Sequence, residues 1–192
     1  MIAEERQTVE AVVTRVMVLE PGSKIISTLV DSVEVTEAGF VGDRHAGLTR
    51  NADVRTPEVA RGMPVRNTRQ VSLVAEEELA EIARRLDLPA VEPEWLGANL
   101  CLRGIDGLTE LAPGSRLTFG QGVVIVIDSE NNPCTGPGKA IEEHYPTRQG
   151  LASQFPKQAI HLRGLVGWVA AGGQIAVGDR AEWRPPDDAA EG

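Results

Sequence analysis

What most restricts the fold of this chain is the punctuation of its apolar runs, which are short, β-branched and cut off by glycine. Residues 123–128 (VVIVID) follow 117–119 across Gly120-Gln121-Gly122, the signature of two strands joined by a hairpin. Residues 9–19 (VEAVVTRVMVL) alternate as a long, largely buried strand would, and 32–36 and 70–74 read as shorter ones. Near the C-terminus, 165–170 and 174–177 stand either side of Ala171-Gly172-Gly173, and 180–184 follows Gly178-Asp179. A run of β-turn-β units is therefore expected to close the fold. Only 75–86 (AEEELAEIARRL) has a clear helical period: Leu79, Ile82, Ala83 and Leu86 form one apolar stripe, with Glu76, Glu77 and Glu78 in the first turn and Arg84 and Arg85 in the last. A second, shorter helix is expected over 139–145, after the Pro137-Gly138 break, and 51–63 reads as irregular loop. With no repeat and no linker, residues 1–184 read as one β-dominated domain, and 185–192 (PPDDAAEG) as a disordered tail.

Composition excludes several classes of function. The 192 residues can bury a proper core. A net charge of −9 is the wrong sign for general nucleic-acid or anionic-membrane binding. No apolar run approaches the ~20 residues of a membrane helix. The first residues, Met1 to Arg6, lack the apolar centre of a secretory signal. Two cysteines are too few for a disulfide framework, and no Cys/His spacing suggests zinc, so a cytoplasmic protein with reduced thiols is expected.

Chemistry concentrates in 129–138 (SENNPCTGPG), where a strongly apolar strand stops and Cys134 follows in a loop with no periodicity to bury it. A thiol that acts as nucleophile or metal ligand must be reachable and deprotonatable, and loops on a rigid sheet are where such groups are placed. From these residues alone, a functional Cys134 and an inert loop thiol weigh equally. Cys101, flanked by Leu100 and Leu102, reads as core. A second signal is charge. Arg44, Arg50, Arg55, Arg61, Arg66 and Arg69 face only Asp53 and Glu58 between residues 44 and 69, a local +4 in an acidic protein. Each arginine alone is better read as pairing with acids elsewhere; as a group they suggest a pocket for a small anion. The third is 39–47 (GFVGDRHAG), whose glycines make tight turns around Asp43, Arg44 and His45 without forming a nucleotide-binding loop.

In order and spacing, GFVGDRHAG at 39–47, TRQVSLV at 68–74, LGANL at 96–100, LAPGSRLTFG at 111–120, NNPC at 131–134 and HLRGLVGWVAAGGQIAVGD at 161–179 resemble the MOSC family, named for the C-terminal domain of molybdenum-cofactor sulfurases. The similarity runs from about Gly39 to Trp183, with a core at about 39–184. Ala98 stands where the family pattern often has Glu. The resemblance implies a mainly β fold, a small closed β-barrel with a few short covering helices. It implies that Cys134 ligates molybdenum in a bound molybdenum cofactor (molybdopterin), or carries sulfur as a persulfide. Gly42, Asp43, Arg44, His45, Arg69, Gln70, Asn99, Asn132 and Arg163 would bind the cofactor, with Arg44, Arg69 and Arg163 on its phosphate. Pyridoxal phosphate, used by a desulfurase-like domain fused to some members, has no domain to hold it here.

Three functions follow. The first is a molybdenum-dependent reductase of N-hydroxylated or similarly oxidised small molecules, fed by a separate electron-transfer protein because nothing here resembles a flavin or iron–sulfur module. The second is a sulfur carrier charged on Cys134 by a cysteine desulfurase. The third is a non-enzymatic β-barrel that binds a small anion.

Overall fold

The computed structural model describes residues 10–186. The expectations for Met1 to Arg6, for Val9 and for residues 187–192 lie outside them. In chain order the strands are β1 (Glu10–Val18), β2 (Thr28–Val30), β3 (Ser32–Thr36), β4 (Gly39–Phe40), β5 (Thr49–Asn51), β6 (Pro64–Arg66) and β7 (Val71–Ala75), then helix α1 (Glu76–Leu86). They continue with β8 (Leu100–Arg103), β9 (Arg116–Phe119) and β10 (Val123–Glu130), helices α2 (Thr135–His144) and α3 (Leu151–Gln158), and β11 (Leu165–Ala171), β12 (Gly173–Ala176) and β13 (Arg180–Arg184).

Seven of these strands form a ring in the order β1, β8, β7, β11, β10, β9, β13, and β13 pairs again with β1. All the pairings are antiparallel except β7 with β8. The expected mainly β, closed barrel with a few short helices is what the chain forms. Alternation explains its filling. Ala11, Val13, Leu73, Leu100, Leu102, Leu117, Phe119, Ile125 and Leu165 are buried in one cluster inside the ring. A bulge between Val13 and Arg15 shifts the register of β1, and Met17 joins a second cluster outside the wall. There Val74 and Cys101 lie under the apolar stripe of α1 (Leu79, Ile82, Ala83, Leu86) and under Ile141, Leu151 and Phe155 of α2 and α3. Cys101 is core, as its leucine neighbours suggest, and burial pushes its thiol up to about 12.

Beyond short strands such as β2, β4, β5 and β6 that the sequence did not signal, three elements differ from the sequence reading. The final strands are not successive hairpins: β12 leaves the barrel and pairs with β3, in a small sheet with β4. The crossing is made at Gly172, where a Cβ would stand 2.6 Å from the Val35 carbonyl oxygen. Helix α2 starts four residues before the expected Lys139. Pro137 falls in its first turn, where no N–H is needed, so Pro137-Gly138 does not break it. Helix α3 was not foreseen; two apolar residues, Leu151 and Phe155, and an internal Pro156 leave too little period to see. By contrast, residues 52–63 of the expected 51–63 loop are irregular, while Asn51 ends strand β5, which pairs with β6. Among the described residues no helix is long and apolar enough to cross a membrane.

Candidate functional site

Strand β10 carries the chain to Glu130, and the Asn131 N–H then donates to the Gly164 carbonyl at 2.8 Å. Three residues on, Cys134 occupies the N-cap of α2 in extended conformation, with no side chain capping the helix. Its thiol is exposed. The first turn of α2 therefore presents uncapped N–H groups beside a sulfur atom, where the helix dipole favours negative charge. Ile25 lies over the same turn: its Cδ1 and the Cys134 Sγ stand 3.3 and 3.7 Å from where a Gly136 Cβ would be.

Arg163 lies on the neighbouring turn, which the Asn131–Gly164 bond ties to the Cys134 loop. His161, at φ 60°, donates its N–H to Glu130 Oε1 at 3.0 Å, and its ring Nδ1 is 3.0 Å from Glu130 Oε2. On the other side the Gly164 N–H donates to Thr109 Oγ1 at 2.8 Å. Both Thr109 donors, N–H and hydroxyl, go to the buried Glu78 carboxylate at 2.7 Å, and burial raises the carboxyl's pKa above the usual range. Arg163 itself is 5% exposed. Its Nη2 donates to the Leu96 carbonyl at 2.7 Å, while its Nη1 is buried with no partner among the described residues. Burial, opposed by the charge a Cys134 thiolate carries and aided by Arg69, brings the guanidinium down to about 10. Cys134, Arg163 and Arg69 thus share one electrostatic neighbourhood.

Arg69 is held by Ser129 Oγ at 3.4 Å and Asn131 Oδ1 at 3.2 Å, and Ser129 in turn donates to Asp128 at 2.9 Å. Burial, and then the charge of Arg55, lower its pKa. The other arginines between residues 44 and 69 are dispersed. Arg50 and Arg55 act on Arg69 from a distance and approach Asp53, at 3.6 and 2.8 Å. Arg44 donates to the Ser23 and Lys24 carbonyls at 3.0 Å, Arg66 lies 4.1 Å over the Trp168 ring, and Arg61 is exposed.

The remaining expected site residues use their hydrogen bonds on the protein itself. Asp43 Oδ2 accepts from the Leu19 N–H at 2.8 Å and Asn99 Nδ2 at 2.7 Å. Its Oδ1 accepts from the His45 N–H at 2.8 Å and faces His45 Nδ1 at 3.0 Å. Burial alone would raise this carboxyl, yet the bonds from His45, Leu19 and Asn99 outweigh it and hold the pKa low. Asn99 also accepts from the Ser72 N–H. Gln70 donates to the Glu37 and Gly47 carbonyls and accepts from the Val169 N–H. Gly42 makes the turn before Asp43 at φ 89°, and Asn132 is exposed in the loop before Cys134. The GDRH loop meets the thiol only indirectly, since Arg44 holds the carbonyls of residues 23 and 24, next to Ile25. Ile25 belongs to the site without any mark in the sequence, and Leu96 and Ser129 were visible only as members of the 96–100 and 129–138 segments. Asn131 was visible only as part of NNPC.

Such a place can hold an anion or keep a thiolate charged and accessible. Among the described residues no three His, Cys, Asp or Glu side chains come together as a metal-ligand set.

Comparison with known proteins identifies the family. The model of the MOSC domain family matches residues 43–182. YuaD of Bacillus subtilis (strain 168), described as "Putative metal-sulfur cluster biosynthesis proteins", is 40% identical over 157 residues, covering 82% of each chain. The crystal structure of YuaD superposes with a TM-score of 0.88 at 36% identity, covering 92% of this chain and 97% of that one. YiiM from Geobacillus stearothermophilus shares the fold alone, with a TM-score of 0.63 at 14% identity over 91% of this chain and 75% of its own. By the match across residues 43–182 and the relationship to YuaD, this chain belongs to the MOSC domain family.

Proposed function

We propose that this MOSC protein carries sulfane sulfur on Cys134 for the assembly of a metal–sulfur cofactor. The observation behind this reading is an exposed thiol at the uncapped start of a helix, on the loop that Asn131 ties to the turn carrying the buried Arg163 guanidinium. The Cys134 thiolate attacks the outer sulfur of a desulfurase persulfide. The donor's S–S bond breaks as a new one forms on Cys134, and the donor's inner sulfur leaves as a thiolate that takes up a proton, with no net redox change. Arg163 offsets the negative charge on either form of Cys134, and exposure lets a protein donor reach it. The description of YuaD supports a role in sulfur chemistry.

A second reading, molybdenum-cofactor binding, is favoured by one observation: the Arg163 Nη1, buried and unpartnered, is the group a cofactor phosphate would satisfy. The residues present fit the group. Cys134 would supply its thiolate ligand, Arg163 and Arg69 would hold its phosphate, and Asp43, His45, Gln70 and Asn99 would keep the surrounding loops in place. When bound, the cofactor supplies the chemistry for removing oxygen from N-hydroxylated compounds, with electrons from another protein.

Incubation with a bacterial cysteine desulfurase and cysteine, followed by mass spectrometry, should show a persulfide on Cys134 that Cys134→Ser lacks. Unmodified wild-type protein discards the carrier reading. Metal analysis of protein made in a cofactor-producing host separates the second reading: equal molybdenum in wild type and Cys134→Ala removes Cys134 as its ligand.

A further inference from the structure

We infer that the arm formed by residues 48–66 is the docking surface for a protein sulfur donor with an acidic, apolar face, seating the donor's cysteine over Cys134. This rests on the sulfur-carrier reading and names its partner class.

The arm is built to stand out from the barrel. Its strands β5 and β6 pair with each other and with no barrel strand, in register Thr49 with Arg66 and Asn51 with Pro64. Its root is firmly fixed. Asn67 Nδ2 donates to the His45 and Gly47 carbonyls, the Asn67 N–H donates to the Leu48 carbonyl, and Arg66 covers the Trp168 ring. Further out, backbone bonds order the chain, such as Ala52 N–H to the Met63 carbonyl at 2.7 Å and Gly62 N–H to the Ala52 carbonyl at 2.9 Å. Yet Ala52 is the arm's one buried residue. Val54 is 82% exposed, Leu48 62% and Met63 54%. An ordered, rooted hairpin that turns its apolar side chains to water gains nothing for its own core, which is how interaction surfaces are distinguished.

Charge states the partner's chemistry. Residues 48–66 hold four arginines against two acids, whereas the rest of the chain keeps 15 of its 19 basic residues against 26 of its 28 acids. The arm attracts a carboxylate-rich surface. Its position selects a sulfur donor over a second copy of this acidic chain. Arg50, Asp53 and Arg55 act electrostatically on Arg69, and Arg69 bonds Asn131 in the Cys134 loop. A partner seated on the arm lies next to the loop that carries the thiol, so a permanently seated second copy would crowd that loop, while a donor must come to this place and leave again.

The test compares two sulfur sources on wild type and on the variant Val54→Ser/Arg61→Glu/Met63→Ser, whose changed side chains are all exposed and should leave the melting temperature unaltered. The rate of persulfide formation on Cys134 is followed with a cysteine desulfurase charged by cysteine and with glutathione persulfide. The variant should lose about tenfold or more of the desulfurase rate, and most of that rate's salt dependence, with the glutathione persulfide rate unchanged. An unchanged desulfurase rate, or an equal loss with both donors, overturns the docking surface while leaving the carrier reading intact. Wild type that takes sulfur from neither source defeats the carrier reading itself. A wild-type dimer in light scattering that the variant dissolves assigns the arm to a second copy and overturns the proposal.

Discussion

A guanidinium removed from water needs several acceptors or an anion in front of it, and among the described residues Arg163 has one acceptor, the Leu96 carbonyl. The exposure of Cys134 was legible from its loop, because a cysteine in a Pro/Gly segment has no core to enter, but the loop alone left a functional and an inert thiol equally weighted. Its link to Arg163 came only through the family resemblance, since the two lie on separate loops brought near each other by the pairing of β10 and β11. The converse holds for Asp43. Its neighbours in sequence suggest chemistry, whereas its bonds to Leu19, Asn99 and His45 tie three segments together. Asp43→Asn, which places a donor where acceptors are needed, should cost about 1–3 kcal/mol at neutral pH by chemical denaturation. Because the folded carboxyl is held below its ordinary value of 3.8, its contribution is present above that value and lost as pH falls through the lower folded one. The stability gap between wild type and Asp43→Asn should narrow as pH drops below about 3.8. A gap that stays constant to lower pH would remove the charge from this account.

Among the elements, α1 was the easiest to foresee, since eleven residues with a full apolar stripe, acids first and bases last, leave little choice. Helix α2 was read late because Pro137-Gly138 looks like a stop. What makes Gly138 necessary is packing: a Cβ there would stand 2.8 Å from both Cα and O of Ala152 in α3. No sequence pattern announces such an approach, because the partner helix is itself nearly silent. Gly138→Ala should force α2 and α3 apart and lower stability by about 1–3 kcal/mol, measured by thermal or urea unfolding. Because α2 presents Cys134, the same variant should also change the rate at which iodoacetamide labels that thiol. Unaltered melting and labelling would show that the two helices separate freely.

For the molecule as a whole, alternation and glycine punctuation foretold a β structure, and the MOSC resemblance a closed barrel. The ring order was beyond either. Strands β1 and β13 meet through Glu10 with Glu182 and Val12 with Arg180, and contacts this distant leave no local imprint. The division between barrel and arm should be visible in native-state hydrogen exchange. Amides of β5 and β6 should exchange well before those of β1, β10 and β11, since the arm has no core of its own to break. Matching protection across both would mean that the arm is stabilised as part of the barrel. The seam between β1 and β13 also bears on how the protein is made. Arg180 and Glu10, in contact there, are 170 residues apart, so a growing polypeptide on the ribosome must keep an open, edge-exposed sheet until its last strand emerges. Chaperones that shield β edges during translation should therefore matter more to its yield in cells than its stability once finished.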